Sequence, residues 1–259
     1  MDMMELIRTR KSVRTFDERP LSEEDKKALV EYTKTITNPY GIPVEFVFLD
    51  AEEHGLSSPV INGELLYVAG KVKNVPHCEE AFGYSFEKLV LYAWSRGIGT
   101  TWIGGTMKRE LFEKAAGKQP DELMPIISPL GYPAKEQSEV DRKLRENVHG
   151  DERLAASELF YENDFSQPMM ESNDELEAVR WYPSAANMQP CRVVKAGNAY
   201  HFYEKHTEGY RGAEWDVQGI DMGIAICHFM SVMDGKFSIS DPGISTDGNT
   251  EYIATVTVE

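Results

Sequence analysis

The sequence predicts an α+β protein built from two pseudo-symmetric halves, each a sheet flanked by helices. Two observations carry this. The order helix, strand, strand, helix, strand is read twice along the 259 residues, from a hydrophobic period that switches between 3.6 and 2. Between the two passes, residues 136–151 are polar and almost without large apolar side chains, which makes them the best linker candidate. The division expected is residues 1–145 and 146–259.

In the first pass, residues 3–9 read as a short helix. Pro20-Leu21-Ser22 then opens a second one, with Ser22 as N-cap, Asp25 at the third helical position, and Ala28, Leu29 and Tyr32 as an apolar side. Strands follow at 44–49 and 65–72. Phe82, Phe86, Leu89, Val90 and Ala93 have helical spacing, and Gly97 is a natural helix stop. Residues 101–103 read as a short strand running into Gly104-Gly105. A helix over 108–116 and an apolar strand over 125–130 lead to Gly131-Tyr132-Pro133.

The second pass opens near Leu154. Its elements are a helix over 174–182, a turn at Pro183, and strands at 191–195 and 200–203. A strongly apolar helix over 217–233 and strands at 237–240 and 252–258 complete it.

Hydrophobic residues make up 41% and charged residues 27% of the chain, enough for a sizeable core. No apolar run approaches the ~20 residues of a membrane-spanning helix, and residues 1–14 lack the apolar core of a secretory signal. A cytoplasmic protein is expected. Cys78, Cys191 and Cys227 are too few and too scattered for a disulfide framework or a zinc cluster. The six histidines are equally scattered. His228, beside Cys227 and near Met230 in an apolar helix, reads as a core histidine, so no metal site is expected. The net charge of −16 disfavours nucleic acid and anionic membranes as partners. It also makes two local basic clusters informative. One is Arg8, Arg10, Lys11 and Arg14; the other is Arg142, Lys143 and Arg145.

Arg10-Lys11-Ser12-Val13-Arg14 alternates guanidinium and hydroxyl groups in a way that suits a phosphate or a polarised heteroaromatic ring. Being polar and near the start of the chain, Arg10 is expected to matter little for the stability of the ligand-free protein. Tyr182-Pro183-Ser184-Ala185-Ala186-Asn187-Met188-Gln189-Pro190 is a turn bracketed by two prolines, with hydroxyl and amide groups and little bulk between them.

These two motifs resemble, respectively, the arginine-x-serine signature and the Pro-Ser-x-x-Asn-x-Gln-Pro turn of the FMN-dependent nitroreductase family. The run from Gly97 to Gly105 is similar to that family's helix-to-strand segment over the flavin, and Leu130-Gly131-Tyr132-Pro133 resembles the strand end before its phosphate-binding residue. Ordinary members resemble a homodimer whose subunits share each flavin. Here the first pass keeps the arginine motif but reads Thr37-Asn38-Pro39-Tyr40-Gly41 where the turn would stand. The second keeps the turn but opens on Arg153-Leu154-Ala155-Ala156-Ser157. The losses are complementary, as in the branch in which one chain imitates the dimer by internal duplication.

The resemblance implies a nitroreductase-like fold with mainly antiparallel sheets and one FMN. The residues it assigns to the cofactor are Arg10, Lys11, Ser12, Arg14, Trp102, Ile103, Gly104, Gly105, Arg142, Pro183, Ser184, Ala185, Asn187 and Gln189. Arg142 is chosen for the phosphate, with Lys143 and Arg145 as alternatives. Trp102 is a wall of the flavin pocket or a core residue. The family's flavin-proximal asparagine has two candidates, Asn62 and Asn74. No catalytic side chain is expected, because the chemistry belongs to flavin N5. The implied function is NAD(P)H-linked, two-electron, ping-pong reduction of a small nitroaromatic- or quinone-like acceptor. A non-catalytic flavin-binding protein, a sensor or carrier, is the alternative. The expected assembly is a monomer acting as a pseudo-dimer, or a homodimer through another surface.

Overall fold

A computed structural model describes residues 2–212 and 214–259. In chain order the elements are α1 (Met3–Thr9), α2 (Glu23–Thr33), β1 (Val44–Asp50), α3 (Ala51–His54), β2 (Leu66–Lys73), α4 (Cys78–Ser95), α5 (Arg109–Ala116), β3 (Glu122–Leu123), β4 (Ile127–Leu130) and α6 (Glu139–Asn147). There follow α7 (Ala156–Leu159), β5 (Phe160–Glu162), α8 (Asp174–Arg180), a 3-10 turn (Ala185–Asn187), β6 (Cys191–Ala196), β7 (Ala199–Lys205), α9 (Val217–Val232), β8 (Lys236–Ser238) and β9 (Thr250–Thr257). They form two compact units that do not divide the sequence at one point. The first holds Thr9–Cys78 and Ser85–Gly150; the second holds Asp2–Arg8, Glu79–Tyr84 and Asp151–Glu259.

In the first unit β2 is the central strand. It pairs antiparallel with β1, from Val44 opposite Val72 to Asp50 opposite Leu66, and on its other edge with β3 and β4. α2 starts where Ser22 accepts a hydrogen bond from the Asp25 N–H (3.1 Å), which satisfies one of the helix's orphan donors. α5 turns Phe112 and Ala116 inward, against a cluster that includes Tyr67, Ile103, Met124 and Ile127. Phe112 meets the Tyr67 ring edge-on at 5.0 Å. Each fully buried aromatic of this kind contributes about 1.5–3 kcal/mol.

The second unit is a five-stranded sheet in the order β5-β6-β7-β9-β8, parallel only between β5 and β6. α9 is buried along residues 218–229, so it is apolar nearly all round rather than amphipathic. Phe229 anchors it on β7, with ring centroids 4.7 Å from Tyr200 and 5.4 Å from Phe202. Truncation of Phe229 to alanine would cost about 3–5 kcal/mol.

Two expectations are corrected. Residues 136–151, the linker candidate, are not irregular, because α6 occupies most of them, although the first unit ends at Gly150 and the second resumes at Asp151. Its N-cap Ser138 accepts from Asp141 N at 3.2 Å, and Asp141 is 1% exposed. Residues 101–103 are not a strand. Ile103 makes a lone pair of backbone bonds with Ile127 (2.9 and 3.0 Å), and the pairing goes no further. The short strands β3 and β5 and the single-turn helices α3 and α7 carry too few residues for periodicity to show them.

Candidate functional site

Residues 12–16 of the first unit run extended across the ends of three other segments. Ser12 bridges Thr100, Thr15 bridges Asn62, and Phe16 bridges Pro133. The backbone bonds are Val13 N–H to Thr100 O (2.8 Å), Phe16 N–H to Asn62 O (2.8 Å) and Asn62 N–H to Arg14 O (2.9 Å). Close approach is possible because two of the neighbours are glycines. A Cβ on Gly99 would sit 2.7 Å from Val13 Cβ, and one on Gly131 would sit 2.7 Å from Phe16 Cδ1. Thus the glycine runs at 97–99 and 131 receive the segment that carries Arg10, Ser12 and Arg14.

That segment brings guanidinium groups together. Arg10 is only 8% exposed, and its Nε lies 3.9 Å from Glu87 Oε1. Burial lowers the Arg10 pKa; Glu87 opposes this, while the charges of Arg145 and Arg14 add to it. Arg14 is paired with the buried Asp141 (Nη1–Oδ1 3.2 Å), which also accepts from the Arg14 N–H at 3.3 Å. On α6, Asp141, Leu144, Arg145 and Val148 are the less exposed residues, at the i, i+3, i+4, i+7 spacing of one helix face. Arg145 therefore shares the face of Asp141. Arg142 and Lys143 are exposed and pair with Glu146 (3.8 Å) and Glu139 (2.6 Å) along the outer surface. Lys11 is also exposed.

Buried polar atoms of this unit without a hydrogen-bond partner among the described residues include Nε and Nη1 of Arg10, Oγ1 of Thr100 and Nε1 of Trp102. Buried donors are rarely left unmet in a finished structure. A cluster of Arg10, Arg14 and Arg145 in which the Arg10 guanidinium keeps unmet donors is chemically suited to a bound anion.

Trp102 rests on Phe86, ring centroids 4.9 Å apart. Ile103 turns its side chain into the core cluster and gives both backbone groups to Ile127, so it anchors the residues on either side. Arg109, the first residue of α5, ties down the next stretch. It donates from Nη2 to the carbonyls of Gly104 (2.6 Å) and Pro125 (3.2 Å), and from Nη1 to that of Met124 (2.7 Å). Gly105 has open space on its side-chain side, with nothing within 4 Å of an added Cβ.

In the second unit the turn after Pro183 is strained. Ala186, Asn187 and Gln189 have φ of 46°, 57° and 50°, a region that L-residues other than asparagine seldom adopt. Four contacts hold it. Ala185 N–H lies 3.0 and 3.1 Å from the two carboxylate oxygens of Asp221. Gln189 N–H donates to Ser184 Oγ at 2.9 Å. The buried Gln189 accepts from Leu154 N–H at 2.9 Å. Asn187 Nδ2 donates to the Glu152 carbonyl at 3.1 Å. Asp221 is 3% exposed and its pKa is raised well above the ordinary value, by burial first and also by Glu204 and Asp216; the Ala185 bond opposes this.

Of the two asparagine candidates, Asn62 lies beside residues 14–16. Asn74 is past the other end of β2, where its N–H donates to Asp121 O. His228 is buried and donates from Nδ1 to Ala178 O at 3.0 Å. The three cysteines are buried. Sequence reasoning missed Glu87, Thr100, Arg109, Asp141 and Asp221. For Asp141 a signal existed: Ser138-x-x-Asp141 repeats the Ser22-x-x-Asp25 cap pattern.

No helix among the described residues is long and apolar enough to cross a membrane. No curated protein matches the chain. Among solved structures, a "putative nitroreductase" of Thermotoga maritima is similar to all of this chain (94% of its own length, 19% identity, TM-score 0.63), which shows a shared fold. A nitroreductase family protein of Clostridium difficile covers 61% of this chain and 96% of its own (13% identity, TM-score 0.48). An FMN-dependent nitroreductase of Clostridium difficile covers 51% and 88% (14% identity, TM-score 0.43). The family described as "Putative TM nitroreductase" matches residues 2–232. With that match over most of the sequence and a full-length likeness of fold, the chain belongs to this nitroreductase family.

Proposed function

We propose that the chain binds one FMN and uses it for NAD(P)H-linked, two-electron, ping-pong reduction of small nitroaromatic- or quinone-like acceptors. The observation that carries this is the buried Arg10 guanidinium, which keeps Nε and Nη1 without acceptors beside Arg14 and Arg145. In a chain of net charge −16, such a cluster favours a small, doubly charged phosphate group over a polyanion. The residues present fit FMN on this ground.

When bound, FMN supplies the two-electron chemistry. The chain's own part is to bind and orient. Arg10, Arg14 and Arg145 hold the phosphate side, and Arg145 replaces Arg142 as the phosphate ligand because α6 turns Arg142 outward. Ser12 adds a hydroxyl. Trp102, Gly104 and Gly105 offer an aromatic face, close approach and backbone N–H groups. Ser184 and Asn187 are the further polar groups that the family pattern assigns, on a turn whose backbone strain is held by Asp221, Ser184 and Gln189. Asn62 is the better placed of the two asparagines.

The experiment is reconstitution. Protein incubated with FMN and desalted should retain close to one flavin per chain, seen in the visible spectrum and by quantifying released flavin. Failure to retain any flavin overturns the proposal. Steady-state oxidation of NADH or NADPH with a quinone or nitro compound then tests turnover. A flavin-loaded protein that does not turn over with either donor would be the sensor or carrier instead.

A further inference from the structure

We infer that Arg109 is a positioning residue: by holding the Gly104 carbonyl it fixes the direction of the Gly105 N–H and presents it as a hydrogen-bond donor to a bound ligand. The inference rests on the FMN reading for the identity of that ligand, but the geometry stands on this chain alone.

The guanidinium spans two stretches of backbone. Its Nη2 reaches Gly104 O at 2.6 Å and Pro125 O at 3.2 Å, and its Nη1 reaches Met124 O at 2.7 Å. These are charge-assisted bonds with the fork geometry that only arginine offers, and each is stronger than a neutral bond. Met124 and Pro125 lie between β3 and β4, so the fork ties the glycine segment to the sheet. Met124 itself is buried in the core cluster, which makes this anchor rigid.

A peptide unit is planar and trans, so its C=O and N–H point in opposite directions. Pinning the Gly104 oxygen therefore aims the Gly105 N–H away from Arg109. No acceptor among the described residues receives that N–H, and nothing stands within 4 Å of the Gly105 Cβ position. Two adjacent glycines would otherwise leave this peptide the freest in the segment. The clamp removes that freedom. The cation on the carbonyl oxygen also polarises the amide, so the same N–H becomes a stronger donor. An oriented, polarised backbone donor is suited to an electron-rich heteroatom, such as a ring nitrogen of a bound flavin.

The clamp can be read without any cofactor. In the ligand-free protein the Gly105 amide should show an NMR order parameter typical of rigid backbone, about 0.85, and in Arg109→Met it should fall below about 0.6. Equal values in the two proteins would overturn the inference, whether or not FMN binds. With FMN, the midpoint potential of the bound flavin is compared in wild type, Arg109→Met, Gly105→Pro and the double variant. Gly105→Pro deletes the N–H while leaving Arg109 in place. Both single variants should shift the potential in the same direction and weaken FMN binding roughly tenfold. The double variant should add no further shift, because the two act through one bond. Additive shifts, or an unchanged potential with only a lower melting temperature, would show Arg109 to be merely structural. Arg109→Lys keeps the charge without the fork and should fall between. If wild type takes up no FMN, the FMN reading fails, and the amide measurement still decides the clamp.

Discussion

Arg10 and Glu87 form a buried ion pair that is too long to be a hydrogen bond, with Nε and Oε1 3.9 Å apart and side chains 4% and 0% exposed. Two nitrogens of the arginine have no acceptor, and its surroundings lower its pKa, with burial as the largest cause. Polarity and proximity to the start of the chain suggested little effect on the ligand-free protein. Its burial argues for a larger effect. The arginine is held, at a cost, in a place where its charge is poorly solvated.

Removing both charges should therefore stabilise the ligand-free protein and damage binding. The double variant Arg10→Met/Glu87→Met replaces a buried pair by apolar side chains of similar volume, which is often neutral or stabilising by about 1–4 kcal/mol. The melting temperature without FMN should rise, by about 2–4 °C for each kcal/mol in a chain of this size. FMN affinity should fall roughly tenfold to a hundredfold, since a charge-assisted contact contributes about 1.5–3 kcal/mol. Titration and thermal unfolding, with and without FMN, measure both. A double variant that melts lower while binding FMN normally would make Arg10 a structural residue.

Arg145 and Arg142 should separate cleanly, although they are three residues apart. Arg145→Ala is expected to weaken FMN binding about tenfold or more. Arg142→Ala loses only an exposed pair with Glu146 and should leave affinity unchanged, with a stability effect near 0.3–0.5 kcal/mol. Equal losses of affinity from both would mean that α6 is turned differently from the face set by Asp141.

How far the sequence revealed this is shown by α6 itself. Its residues were read as a linker because apolar side chains are scarce there, and periodicity has little to work on without them. What fixes the helix is polar: the Ser138 cap and the buried Asp141–Arg14 pair. In contrast, α2, α4 and the strands β1, β2, β6 and β7 were legible because their apolar spacing matches the faces they bury, and α9 because it is apolar nearly all round. Arg10, Ser12 and Arg14 were singled out through motif chemistry, and Arg10 stands within electrostatic reach of Arg14 and Arg145. Glu87, Arg109 and Asp221 were invisible, because each acts through a neighbour brought close only by folding.

Stability should depend on pH through Glu204. Its pKa is pushed up to about 7, by burial first and then by Asp216, with His206 and Arg211 pulling the other way. An unfolded glutamate titrates near 4.3. Between about pH 4.3 and 7 the folded chain thus binds the extra proton, and this residue's contribution to stability falls as pH rises through that window and is flat above it. The raised Asp221 pKa acts in the same sense. Urea midpoints from pH 5 to 8 should fall more steeply for wild type than for Glu204→Gln. Parallel curves would show that Glu204 does not titrate there.

Alanine should be tolerated at one glycine of the site and not at another. In Gly99→Ala the new Cβ would meet Val13 Cβ at 2.7 Å and force residues 12–14 outward, costing about 1–3 kcal/mol and lowering FMN affinity with it. Gly105→Ala meets nothing within 4 Å and should stay within about 0.5 kcal/mol of wild type. Chemical unfolding of both, beside flavin titration, is the measurement. Similar behaviour of the two would mean that the segment over Gly99 yields without strain.

The interleaving of the two units in the sequence has a consequence for biosynthesis. Chains emerge from the ribosome N-terminus first, at about 5–20 residues per second. All of Thr9–Cys78 and Ser85–Gly150 is available once residue 150 is out, so the first unit can close early. The second unit also draws on Asp2–Arg8 and Glu79–Tyr84. Those residues, with Leu6, Ile7 and Phe82 among them all buried in the finished protein, must wait for 151–259 to be translated. A nascent chain halted at residue 150 should therefore display sticky apolar surface and recruit chaperones, whereas the released full-length chain should not.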